Sequence, residues 1–131
     1  MINKNKSLVV DLDGCICKLK KPEQDYCEIE PNEGFIAKLR EYQKDGFQII
    51  IFTSRNMNTF DGNIGKINAI TLKAILAWLD KHHVPYDEIH VGKPWGGKKG
   101  FYIDDKAIRP DEFVSKTLSE IYKLIDCTEY E

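Results

Sequence analysis

The sequence predicts an α/β protein built on a parallel sheet with helices on both faces. Three observations carry that prediction. Short apolar runs of strand length alternate with longer segments whose apolar residues recur at helical spacing. One of the runs, Gln48-Ile49-Ile50-Ile51-Phe52, is almost unbroken and β-branched, which is how strands buried on both faces of a parallel sheet read. The residues best suited to chemistry stand at the ends of the runs, where ligands bind in such sheets.

The elements follow in order. Lys6 to Asp11 is the first strand, built on Leu8-Val9-Val10. Cys15 to Pro31 is polar and irregular, the length of a small hairpin or flap. Asn32 is placed to cap a helix over Glu33 to Lys44, with Phe35, Ile36, Leu39 and Tyr42 on one side and Gly46 closing it. Phe47 to Phe52 is the second strand, and Thr53-Ser54-Arg55 follows it. Ser54 to Lys66 reads as a long polar loop, a kind of segment that in compact domains is usually functional. Ile67 to His83 is a helix, apolar at Ile67, Ile70, Ala74, Ile75, Trp78 and Leu79, and Val84-Pro85 ends it. Glu88 to Val91 is a third strand. Gly92 to Gly100, with four glycines and Lys93-Pro94-Trp95, is a loop. Phe101-Tyr102-Ile103 is a fourth strand ending in Asp104-Asp105, and Ser115 to Ile125 is the last helix.

Length and composition narrow the class. At 131 residues the chain is one domain. Its 42% hydrophobic and 31% charged content is that of a soluble globular protein. A net charge of −2, with basic residues scattered apart from two short lysine clusters, gives no reason to expect nucleic-acid or membrane binding. No apolar run approaches a membrane span and the polar N-terminus lacks a signal-peptide core, so a cytoplasmic location is expected. Cys15, Cys17, Cys27 and Cys127 are expected to be free thiols, and their spacing does not fit a zinc knuckle.

Chemistry centres on Asp11-Leu12-Asp13-Gly14. On a strand, side chains two residues apart point the same way. Two carboxylates forced together at the mouth of a buried strand are costly unless something offsets them, and the usual offset is a divalent cation, which prefers carboxylate oxygen. Thr53, Lys93 and the pair Asp104-Asp105 sit at the other strand ends, so the topology brings them to the same edge. That set suits a phosphate monoester, with a carboxylate nucleophile, a second carboxyl group for proton transfer, and a lysine and a hydroxyl on the phosphoryl oxygens.

The order of these motifs resembles the haloacid dehalogenase superfamily of aspartate-nucleophile phosphatases. The matching residues are Val9-Val10-Asp11-Leu12-Asp13-Gly14-Cys15, Ile49-Ile50-Ile51-Phe52-Thr53, Gly92-Lys93-Pro94 and Phe101-Tyr102-Ile103-Asp104-Asp105, from about residue 8 to 110. The resemblance implies a three-layer Rossmann-like fold, Mg²⁺ as cofactor and an aspartyl-phosphate intermediate. It implies Asp11 as nucleophile and metal ligand and Asp13 as general acid/base, with its backbone carbonyl on the metal. Asp104 would be a metal ligand, and Asp105 a ligand through water or a group behind one. Thr53 and Lys93 complete the catalytic set. Cys15 departs from the pattern, which usually has Thr or Val there. Neither Gly14 to Pro31 nor Ser54 to Gly92 can house a cap domain, so a capless member is expected. Substrate contacts would come from the flap and the Ser54–Lys66 loop, or from a neighbouring subunit of a homo-oligomer, with Arg55, Asn56, Asn63 and Trp95 as candidates.

Arg55-Asn56-Met57, Gly62 to Asn68, Val84 to Ile89 and Gly100 to Asp105 resemble short phosphatases associated with capsule polysaccharide biosynthesis, which implies a sugar or polyol phosphate as substrate. The rival reading from another class is a phosphorylatable receiver module. There the acidic pair ends the first strand, the phosphoacceptor ends a middle strand, and Lys-Pro comes late. Here an acidic pair follows Lys93-Pro94 and no Asp ends a middle strand.

Overall fold

A computed structural model describes residues 5–126. The chain divides into two compact units between Trp95 and Gly96. The first is α/β and carries a three-stranded parallel sheet in the order β1-β2-β3, which is compatible with a Rossmann-like fold.

Strand β1 is Ser7–Val10, β2 is Gln48–Phe52 and β3 is Glu88–His90. Val10 pairs with Ile51, and Phe52 with His90, so the three carboxyl ends finish almost level. Ile49 and Ile51 of β2 are fully buried, while Gln48, Ile50 and Phe52 are half-buried. One face of the strand is therefore sealed and the other only partly covered, against the expectation of burial on both.

Between β1 and β2 runs α1, Glu33–Lys44, with the expected boundaries, burying Phe35, Ile36, Leu39 and Tyr42. Asn32 stands at its N-cap but spends its side chain elsewhere, donating from Nδ2 to the Cys15 carbonyl at 2.8 Å. With Asn32 N–H on the Ile16 carbonyl at 2.9 Å, this ties the neck of the 14–31 excursion to the start of the helix. At the other end Gly46 takes φ 92°, and Phe47 N–H reaches back to Tyr42. That is the left-handed close expected of a helix C-terminus.

The excursion itself is a small flap, as expected. It is pinched by an antiparallel bridge between Cys17 and Pro31 and contains one 3₁₀ turn, Tyr26–Glu28. The Trp78 indole N–H donates to the Ile29 carbonyl at 2.9 Å, fastening the flap to a helix of the main body.

The segment between β2 and β3 differs from expectation. Helix begins earlier, as α2, Ile64–Lys66, capped by the Asn63 side chain. It continues through a π-helical turn, Ile67–Thr71, into α3, Leu72–Lys81. Apolar periodicity starts only at Ile67, which is why the exposed first turn was not visible in it. The expected loop is thus a series of turns over residues 55–62.

In the second unit the expected fourth strand is absent. Phe101, Tyr102 and Ile103 form no ladder and are 80%, 58% and 89% exposed. The run follows a glycine-rich loop in which Gly96 and Gly100 press so closely that a Cβ on Gly100 would collide with the Gly96 carbonyl oxygen. The expected last helix, Ser115 to Ile125, is α5, Leu118–Leu124, and a short helix not expected from the sequence, α4, Pro110–Ser115, precedes it. Thr117 separates them because it forms a capping box with Glu120, accepting from Glu120 N–H and donating its own N–H to the Glu120 carboxylate. Among the described residues no helix is long and apolar enough to cross a membrane.

Candidate functional site

The site in the first unit starts where β1 ends. Leu12 is fully buried, and its carbonyl accepts from the N–H groups of Cys15, Ile16 and Cys17 at 3.2, 3.0 and 3.2 Å. The chain therefore turns sharply around Leu12, and Gly14, at φ 87°, completes the turn. Anchoring Leu12 inward leaves Asp11 and Asp13 half-buried on either side of it, in the turn beyond β1 rather than on the strand expected to align them.

Asp11 accepts the Leu12 N–H at 2.8 Å on one oxygen, and its other oxygen lies 3.8 Å from the Lys93 ammonium. Burial pushes the Asp11 carboxyl above its usual range, and Lys93 pulls it back only in part. Lys93 is brought there by β2 and β3 together. Its N–H donates to the Thr53 carbonyl at 3.1 Å, while Thr53 N–H donates to the His90 carbonyl at 3.0 Å. Gly92, at φ 83°, makes the turn from β3, and a Cβ on it would sit 2.5 Å from Ile64 Cδ1.

Asp13 is held differently. The Arg55 guanidinium donates to both of its oxygens, Nη2 to Oδ1 at 2.7 Å and Nε to Oδ2 at 3.1 Å. Arg55 is buried, with only 5% of its surface exposed. The Tyr26 ring lies 4.2 Å from its guanidinium carbon, and Cys17 Sγ lies 3.8 Å from Nη2. Cys17 is itself buried beside Asp13, and burial pushes its thiol up to about 12. Arg55 N–H donates to the Thr53 hydroxyl oxygen at 3.1 Å, so the buried Thr53 joins both halves of the site.

Asp11, Asp13, Thr53, Arg55 and Lys93 are thus brought together by three strand ends. The other expected residues have surroundings of their own. Asn56 adopts φ 62° and is fixed by the Thr71 hydroxyl, which donates to its Oδ1 at 2.7 Å. Asn63 caps α2 by accepting Lys66 N–H at 3.1 Å. Trp95 is 45% exposed at the end of the first unit. Asp104 and Asp105 belong to the second unit, where Asp104 accepts the Lys106 N–H at 3.1 Å. That hydrogen bond holds its carboxyl below the usual range. Cys15, Cys17 and Cys27 are thiols rather than disulfides, and Cys127 lies outside the described residues.

Among the described residues of the first unit, no group of three or more His, Cys, Asp or Glu side chains is arranged to hold a cation. The donor chemistry of Asp11 nevertheless fits a hard cation. It is an oxygen-only ligand, partly desolvated, whose charge the lysine at 3.8 Å offsets incompletely. Asp13, with both carboxylate oxygens taken by Arg55, has its main-chain carbonyl to offer.

Sequence reasoning missed Tyr26, Cys17 and Thr71. Thr71 carried a faint signal, a polar residue on the otherwise apolar side of a helix. Tyr26 carried none, because its role depends on how the flap folds back.

A parallel sheet with an acid pair at the carboxyl end of its first strand, faced by a lysine and a buried arginine, defines an α/β protein with a polar site at the sheet's edge. A crystal structure of an MCSG target from Vibrio cholerae is similar to it, with a TM-score of 0.89 and 55% sequence identity, covering 92% of this chain and 97% of that one. At that identity over nearly the whole of both chains, this chain belongs to the same family as the Vibrio cholerae protein. No family model and no curated protein matches it.

Proposed function

We propose that the chain is a Mg²⁺-dependent phosphomonoester hydrolase of the haloacid dehalogenase type. The observation that carries this reading is the meeting of Asp11, Asp13, Thr53 and Lys93 at one sheet edge, with Lys93 3.8 Å from Asp11 and its N–H on Thr53. In the proposed reaction an Asp11 oxygen attacks phosphorus. The bond from phosphorus to the ester oxygen breaks, its electron pair stays on that oxygen, and the Asp13 carboxyl supplies the proton. Water then attacks the aspartyl-phosphate and gives a proton back to Asp13, which frees inorganic phosphate and restores the Asp11 carboxylate. Lys93 and the Thr53 hydroxyl hold phosphoryl oxygens as charge builds on them. Asp11 and the Asp13 carbonyl would hold Mg²⁺ on the first unit's side. When bound, the cation neutralises charge between the carboxylates and a phosphate dianion. The substrate class is a sugar or polyol phosphate, on the resemblance to capsule-polysaccharide phosphatases.

Steady turnover of p-nitrophenyl phosphate with Mg²⁺ is expected, lost reversibly with EDTA and lost in Asp11→Asn. Near-parent turnover by Asp11→Asn would sink the nucleophile assignment. Stable labelling by acetyl phosphate without turnover would favour the receiver module instead.

A further inference from the structure

We infer that Arg55 is the positioning residue for Asp13, fixing the orientation from which Asp13 delivers its proton, and is not a contact for substrate. The inference rests on the phosphatase reading above. An arginine that binds substrate needs its guanidinium open to the cleft. This one has 3% of its side chain exposed and turns its fork onto the two Asp13 oxygens. Both ends of the side chain are fastened. At the head, Tyr26 covers the guanidinium face and Cys17 lines its edge. At the root, Arg55 N–H is tied to Thr53. The next residue, Asn56, is held in a left-handed conformation by hydrogen bonds from Thr71 and to Thr59. Thr71 closes the π-helical turn, so an irregular stretch of helix ends on a residue that steadies the Arg55 loop.

A planar fork on both oxygens fixes the plane of a carboxyl group as well as its place. A lysine, with one rotatable ammonium, cannot do so. The consequence falls on one step. As the bond from phosphorus to the ester oxygen breaks and its electron pair moves onto that oxygen, the Asp13 O–H bond breaks and the proton passes across. An alkoxide leaving group depends on that proton. A p-nitrophenolate is stable enough to depart without it.

Kinetics of Arg55→Lys on glycerol phosphate and p-nitrophenyl phosphate, each with Mg²⁺, test the inference. The expected result is a loss of kcat of about 10²-fold on glycerol phosphate, the lower end of what proton transfer is worth. On p-nitrophenyl phosphate the loss should be several-fold at most, with KM little changed on either. Asp13→Asn should show the same selectivity more strongly. In Arg55→Ala, added guanidinium should restore turnover of glycerol phosphate in preference. Thr71→Val keeps the shape of the side chain and loosens only the Arg55 loop, so it should show the same selectivity in weaker form even where the Arg55 variants fold poorly. Equal losses on both substrates, or a raised KM with kcat kept, would overturn the inference while leaving the phosphatase reading intact. No turnover by the parent protein on any phosphate ester would overturn both.

Discussion

The Asp13–Arg55 pair should be stabilising only as a pair, and the two single deletions should cost unequal amounts. Arg55 has 3% of its side chain exposed and Asp13 has 26%. Asp13→Asn leaves a guanidinium buried, with an amide NH₂ turned toward one of its N–H donors. Removing one partner of a buried pair typically costs about 3–5 kcal/mol, and this variant should lie at about 3 or above. Arg55→Met leaves a carboxylate that water can partly reach, and methionine refills much of the space beneath Tyr26, so about 2 kcal/mol is expected. The double variant leaves no unpaired charge and should lose no more than about 3 kcal/mol. The coupling across the cycle should then reach about 2 kcal/mol. Urea unfolding followed by tryptophan fluorescence gives the measurement, since Trp78 and Trp95 both lie in the first unit. With m of about 1–3 kcal/mol/M, the Asp13→Asn midpoint should fall by about 1 M or more. Costs that add within about 0.5 kcal/mol, or a larger cost for Arg55→Met than for Asp13→Asn, would refute the argument from burial.

Other consequences are as direct. Burial raises the Asp11 carboxyl above its ordinary 3.8, so in metal-free buffer the folded protein holds that proton more tightly than the unfolded chain. The stability this contributes is present below the ordinary value and is lost as pH rises through the raised one. Asp11→Asn, neutral at every pH, should therefore melt higher than the parent in EDTA at neutral pH, with the gap closing as the pH falls through the acid range. A lower melting temperature at neutral pH would contradict this. Gly92→Ala combines a φ of 83° with a Cβ 2.5 Å from Ile64 Cδ1, and should cost about 1–2 kcal/mol and lower turnover by shifting Lys93. Unfolding midpoints and kcat together check it. In native protein, iodoacetamide at mildly alkaline pH should modify exposed Cys27 early and Cys17 last, because Cys17 is buried and its thiol is pushed up to about 12. Peptide mass analysis over time would reveal early Cys17 labelling if that protection is wrong.

The parts of the molecule that could be read from the sequence are those whose signal is local. The boundaries of α1 follow from apolar spacing ended by Gly46, and β2 from an unbroken β-branched run. Phe101–Ile103 shows the limit. A three-residue apolar run specifies a strand only through the strand beside it, and in the structure it has none. The start of α5 was legible in principle, since Thr117-x-x-Glu120 is a capping box, whereas the six residues of α4 are too few for apolar spacing to mark.

The site divides along the same line. Asp11, Thr53 and Lys93 could be expected together because each follows a strand, and parallel strands end on one edge. Arg55 could not be assigned this way, because its chemistry alone is ambiguous: the same planar fork serves a phosphate or a carboxylate. What decides between them is burial, and burial here is non-local. The pairing of Val10 with Ile51 brings the end of β1 level with that of β2, so Asp13 meets Arg55 across 42 positions of sequence. Tyr26 covers the guanidinium from a flap that Trp78, from α3, helps to hold at Ile29. Read singly, Arg55 is a surface arginine after a strand. Given the register and the flap, its charge is committed to Asp13 before any ligand arrives.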